Sequence, residues 1–196
     1  MSRINVVLIY STLALVVAIP IGLAVQSPLL AWREPIYIVA GLAGVIALTL
    51  MLLQPILAAG YLPRQSVRTG RHLHRWVGSA LVLSLVIHVV GLWITSPPDI
   101  IDALLFNSPT PFSNWGVIAM WAVFASACLA LIRRRFRSRL GAWRLSHKSL
   151  AGVIVVTSVV HAMKVEGTME LISKSVLCVV LIVATALALL NFKQRS

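Results

Sequence analysis

The chain has 196 residues, of which 59% are apolar and only 11% charged, too few polar groups to cover the surface of a water-soluble domain of that size. Its net charge of +12 would suit a nucleic-acid partner, but the basic residues fall between long apolar runs, so they are read as a membrane topology signal and nucleic-acid binding is set aside. The solvent that suits this composition is lipid.

Crossing about 30 Å of hydrocarbon takes about 20 apolar residues, and six runs qualify: 5–25, 35–59, 74–94, 112–132, 147–165 and 171–191. The first is too long for a signal peptide and lacks a clear small-residue cleavage site, so it is kept as a helix. Pro20 is expected to kink it, which neighbouring helices tolerate in a membrane. Gln54-Pro55 lies near the end of the second run, and Ser96-Pro97-Pro98 follows the third. Cys128 and Cys178 fall inside the fourth and sixth runs, far from any CxxC or CxxCH pattern, and are read as small core residues. Trp32, Trp93 and Trp115 near one boundary, and Trp76 and Trp143 near the other, read as interfacial anchors. Six spans leave no room for a soluble domain. Residues 1–196 are therefore expected to form a single domain, an all-α integral membrane bundle.

The charges then sort by side. One face carries Arg3, the Arg64, Arg68, Arg71 and Arg75 loop, the basic loop from Arg133 to Lys148, and Lys193 with Arg195. Those are all 17 basic residues except Arg33, Lys164 and Lys174, which leaves 14. The same three share the opposite face with all five acids, Glu34, Asp99, Asp102, Glu166 and Glu170. The positive-inside rule makes the basic face, and with it both termini, cytoplasmic. A bacterial inner membrane is the expected location.

One internal similarity stands out. His74-Arg-Trp-Val-Gly-Ser-Ala-Leu-Val-Leu-Ser-Leu-Val-Ile-His88 parallels His147-Lys-Ser-Leu-Ala-Gly-Val-Ile-Val-Val-Thr-Ser-Val-Val-His161. Each begins with His and a basic residue, has Gly about one turn on, and ends on His at the fourteenth step. Fourteen residues rise about 21 Å and turn about 40° less than four revolutions, so both histidines of a span share a face. Spans three and five run parallel, which sets His74 level with His147 and His88 level with His161.

Each level pair suits a flat macrocycle with iron at its centre, since neutral imidazole supplies an axial lone pair without charge. Two non-covalent b haems between spans three and five are expected, with His74, His88, His147 and His161 as iron ligands. Filling both axial positions favours electron transfer over oxygen binding. Zinc or di-iron sites need clustered ligands with carboxylates, and no such cluster is present in the sequence. The alternative is that each histidine is a satisfied packing residue, but ionisable groups in a span are costly and four matched ones argue for function. His72 lies about 160° from the His88 face by helix geometry and is read as interfacial or as a propionate contact. Gly78, Gly152 and Gly91 are read as clearance for a ring. Arg71, Arg75, Arg144 and Lys148 surround the inner pair, and Lys164 lies near the outer one. All five are candidates to bind haem propionates.

At these residues the chain resembles the ferric reductase-like transmembrane domain family. That family includes the membrane halves of ferric reductases and NADPH oxidases and the haem-binding subunit of the bacterial periplasmic methionine sulfoxide reductase system. The six spans, the basic second and fourth loops and the paired histidines on spans three and five are similar. The resemblance implies an oxidoreductase component or electron-transfer subunit passing electrons from a cytoplasmic flavin through an inner haem (His74, His147) to an outer one (His88, His161), then to an acceptor outside. The family's flavin- and nicotinamide-binding domains are not found before Ser196. A separate donor is therefore expected, a flavin reductase that brings the flavin or else a quinol. The cytochrome b subunit of bc complexes is the nearest alternative, but it normally has eight spans and a Pro-Glu-Trp-Tyr motif, and neither is present. A haem-free transporter or scaffold is the alternative of a different class. It would leave the four histidines without a role.

Overall fold

The computed structural model describes residues 2–191. Lys193 and Arg195, counted above with the basic face, lie outside the described residues, as does the side chain of Arg137. Seven α-helices follow in order: α1 (Arg3–Val25), α2 (Pro35–Ala59), α3 (Val67–Thr95), α4 (Pro97–Leu104), α5 (Ser113–Leu131), α6 (Leu140–Lys164) and α7 (Leu171–Asn191). There are no strands among the described residues. All but α4 are long and apolar enough to cross a membrane, which bears out the all-α reading with six spans.

The surface is that of a protein dissolved in lipid. Leu131, Ile172 and Ile4 are 83%, 80% and 71% exposed, and such side chains are inexpensive to expose only where the surroundings are as apolar as they are. The buried core is correspondingly narrow. It runs along Leu48, Met51 and Leu52 of α2, Leu177, Cys178 and Leu181 of α7, and Ile154 and Val155 of α6. Cys178 is the small core residue the sequence suggested, but Cys128 is exposed. The buried face of α5 is taken by Val117, Ala119, Met120, Ala122 and Val123 instead.

Two helices start earlier than hydropathy implies. The side chain of Ser66 accepts the Thr69 N–H and so caps α3 at Val67, two turns before His74. α6 begins at Leu140, also seven residues before its first matched histidine but without a side-chain cap. Apolar length reports the depth of lipid to be crossed, whereas capping and the absence of Pro set where a helix begins. α1 continues as helix through Pro20, and α2 through Pro55 to a left-handed Gly60 with φ 67°. The added helix α4 starts at the paired prolines, beside a 2.6 Å hydrogen bond from Ser96 Oγ to Asp99 Oδ2.

Packing is organised as two antiparallel hairpins, α2 with α3 and α5 with α6, while α7 lies against α2 and α6. Small residues permit this closeness. Ala40, Gly41, Ala43, Gly44 and Ala47 line α2, and Gly91 of α3 is buried where an added Cβ would come within 2.7 Å of the Ala40 Cβ. α3 and α6 themselves scarcely approach each other. The histidines sit on the facing sides of these two separated helices.

Candidate functional site

Each of the four matched histidines is held from behind by the partner helix of its own hairpin. His88 Nδ1–H donates to the Ala40 carbonyl at 2.8 Å and His161 Nδ1–H to the Phe112 carbonyl at 2.9 Å. His74 Nδ1 lies 3.3 Å from the Gln54 carbonyl, and His147 Nδ1 3.2 Å from Ser126 Oγ. A carbonyl only accepts, so at His74, His88 and His161 the proton is on Nδ1 and the lone pair is left on Nε2. Such an outer hydrogen bond both orients a metal-binding imidazole and raises its basicity.

The anchors repeat as regularly as the histidines. Those at the start of α5 and within it lie 72 residues after their counterparts on α2, 112 against 40 and 126 against 54. The two hairpins thus use one plan, of which only the histidine-bearing half is legible as sequence similarity. Glycine completes it. Residues 44 and 116 follow the outer anchoring carbonyls by four, so the imidazole that shares each carbonyl passes directly over them. A Cβ on Gly44 would lie 2.9 Å from His88 Nδ1, and one on Gly116 2.7 Å from His161 Nδ1. Sequence reasoning missed both. The available signal was their equal 72-residue offset.

The glycines singled out from the sequence have other surroundings. Gly91 admits the backbone of α2, which brings the Ala40 carbonyl within reach of His88. A Cβ on Gly78 would meet the Gln54 amide at 3.7 Å, and one on Gly152 would meet nothing within 4 Å.

The level pair at the basic end is close. The His74 and His147 rings are 6.3 Å apart between centroids and inclined at 72°. Two imidazoles on opposite sides of one metal, with bonds of about 2.0 Å and ring centres about 1 Å further back, would be about 6 Å apart. The donor set and this spacing therefore fit a bis-imidazole iron. Two buried amide atoms are left over beside the anchors. Among the described residues Gln54 Nε2 and Asn114 Oδ1 have no hydrogen-bond partner, one on the residue that anchors His74 and the other two residues beyond the anchor of His161. Buried polar atoms left over in this way are rare and call for a partner. Among the described residues no group of three or more His, Cys, Asp or Glu could hold a bare metal ion.

The candidate cations are spread around this site. Arg71 and Arg144 are exposed in the extra turns of α3 and α6, and Lys148 is half-buried beside His147. Arg75 lines a shallow groove with Arg68, Thr69 and His72. The exposed His72 is engaged by its own helix, since Trp76 Nε1–H donates to His72 Nε2 at 2.8 Å. At the other end Lys164 is exposed, and the buried cation is Lys174, whose Nζ donates to the Val165 carbonyl at 2.7 Å. That carbonyl caps α6, where a positive charge meets the negative end of the helix dipole.

A family model described as ferric reductase like transmembrane component matches residues 40–158. That range takes in three of the four histidines and all four of their anchors. No curated protein and no solved structure matches the chain.

Proposed function

Given that the chain belongs to the ferric reductase-like transmembrane component family, whose members generally bind haem and suggest electron transfer across a membrane, we propose that it is a di-haem b-type cytochrome. When bound, two non-covalent b haems supply one-electron carriers at two depths of the bilayer. His74 and His147 would hold the haem at the basic end, and His88 and His161 the one at the acidic end. The observation that carries this reading is the 6.3 Å separation of the His74 and His147 rings, each with its Nδ1 engaged by the helix behind it.

The chain's own residues do three things in this scheme. The anchoring carbonyls of Gln54, Ala40 and Phe112 hold Nε2 as the lone-pair nitrogen. Arg71, Arg75, Arg144 and Lys148 offer charge-assisted hydrogen bonds to propionates at the basic end, and Lys164 at the acidic end. The Arg133–Arg144 stretch gives the basic end a field that draws an acidic electron donor. The donor is a separate flavin reductase or a quinol on the cytoplasmic side, and the acceptor lies on the outer face. Both termini are cytoplasmic, the whole chain acts as one domain, and a bacterial inner membrane is its setting.

A reduced-minus-oxidised visible spectrum of the purified chain, with haem counted by pyridine haemochrome, tests the proposal. The expected result is a low-spin b-type spectrum and two haems per polypeptide. A colourless protein after expression with sufficient haem overturns it, and would favour a cofactor-free transporter or scaffold.

A further inference from the structure

The two histidine helices share their paired histidines but depart from each other one turn before the inner one. The offset of 73 residues that relates His147 to His74 relates residue 143 to residue 70. Gly70 is buried, and a Cβ there would lie 3.4 Å from the Leu57 carbonyl. It serves the close approach of α2. α6 has a tryptophan instead.

The surroundings of Trp143 are not those of an interfacial anchor. Its indole stacks on the His147 ring, with centroids 5.2 Å apart and planes 9° from parallel, as the four-residue spacing on one helix face permits. Its Nε1–H is spent on the Leu129 carbonyl at 2.9 Å, which locks the indole to the end of α5. On the ring lies a guanidinium, with the Arg133 carbon 5.1 Å from the centroid. His161, the matching ring at the acidic end, meets Phe112 edge to face at 67°.

His147 is also the histidine with the least restrictive anchor. A serine hydroxyl rotates and can give or take a hydrogen bond, so Ser126 restrains the imidazole less than a backbone carbonyl does. A flat partner clamped on the ring face supplies the missing restraint. We propose that Trp143 is a positioning residue of the inner site, fixing the plane of the His147 ring and tying it, through the stacked Arg133 guanidinium, to the arginine-rich face. This rests on the reading of His147 as an axial ligand. The plane of an axial imidazole decides which iron orbitals it overlaps, so a change in that plane is visible in the magnetic anisotropy of a low-spin ferric haem.

The test uses the haem-loaded chain with Trp143→Leu, Trp143→Phe and Arg133→Gln, read by electron paramagnetic resonance and by redox titration. The inner signal is identified as the one that His88→Ala retains. Trp143→Leu should shift the inner g values and the inner midpoint potential while the outer signal stays in place. Trp143→Phe, which keeps a flat face, should return both toward the wild type. Arg133→Gln should shift the inner signal in the same direction as Leu but less. Unchanged inner g values and potential in Trp143→Leu overturn the proposal. If that variant sheds its inner haem, an inner signal unmoved by Arg133→Gln overturns it. Wild-type protein without haem would instead overturn the di-haem reading itself.

Discussion

Gly44 lies directly beneath the His88 ring, so close that a Cβ on it would come within 2.9 Å of Nδ1. The ring is there because its Nδ1–H reaches the Ala40 carbonyl four residues earlier, and a side chain at residue 44 would contest the same space. Gly116 has the same relation to His161. Gly44→Ala and Gly116→Ala should therefore displace the outer imidazoles, at an overpacking cost of about 1–3 kcal/mol. The expected readout is a weakened or altered outer haem spectrum with the inner one intact. Gly22→Ala, where nothing lies within 4 Å, serves as the control and should leave both. An unaltered outer spectrum in both glycine variants would remove the steric role given to these residues.

Replacing one axial histidine should cost one haem. His88→Ala or His161→Ala should leave about one haem per chain, at the basic end, and His74→Ala or His147→Ala about one at the acidic end. Pyridine haemochrome and low-temperature spectra give the count and the identity. Full haem content in all four variants would show that the ligands had been misassigned.

Orientation is tested by labelling. Cysteines introduced at Ser2 and at Asp99 should be modified by an impermeant reagent from the cytoplasmic and the outer side respectively, since the basic loops belong inside. Cys128 is exposed on α5 and should first be replaced by alanine. Modification of the Ser2 position from outside would reverse the topology.

Electron entry should depend on the arginine-rich stretch. Charge reversal at Arg134 and Arg135 should slow haem reduction by a flavin reductase about tenfold or more at low salt, because steering of that size is what a clustered field supplies. Arg133 is best left intact here, since its guanidinium also lies on Trp143 and its loss would mix two effects. Nicotinamide alone should not reduce the chain. Rapid reduction by nicotinamide would sink the separate donor, and a rate insensitive to both salt and charge reversal would remove the docking role.

Much of the architecture was legible in the residues themselves. The spans 35–59 and 171–191 coincide with α2 and α7, because in lipid a run of apolar side chains has no other use and the backbone must satisfy its hydrogen bonds within the helix. The early start of α3 was not legible from hydropathy, since its first two turns are largely polar and report the Ser66 cap rather than burial, and α6 starts early without a side-chain cap. The same limit hid the short helix α4, whose eight residues are too few to span a membrane.

For the site, the fourteen-residue spacing was enough to set two histidines on one face of each helix, because helical periodicity is a local property of the chain. What stands behind each ring is not local. Ala40 and His88 are 48 residues apart, and Phe112 and His161 are 49 apart, so only the packing of each hairpin decides that these carbonyls anchor these imidazoles. The same packing turned Gly91 toward α2, set Gly44 and Gly116 beneath the rings, and stacked Trp143 on His147. Composition and periodicity determined that six helices cross the membrane and which face of α3 and of α6 carries the matched histidines. Tertiary contact alone decided how those histidines are held, since the distance between two side chains on different helices depends on how closely their backbones can approach.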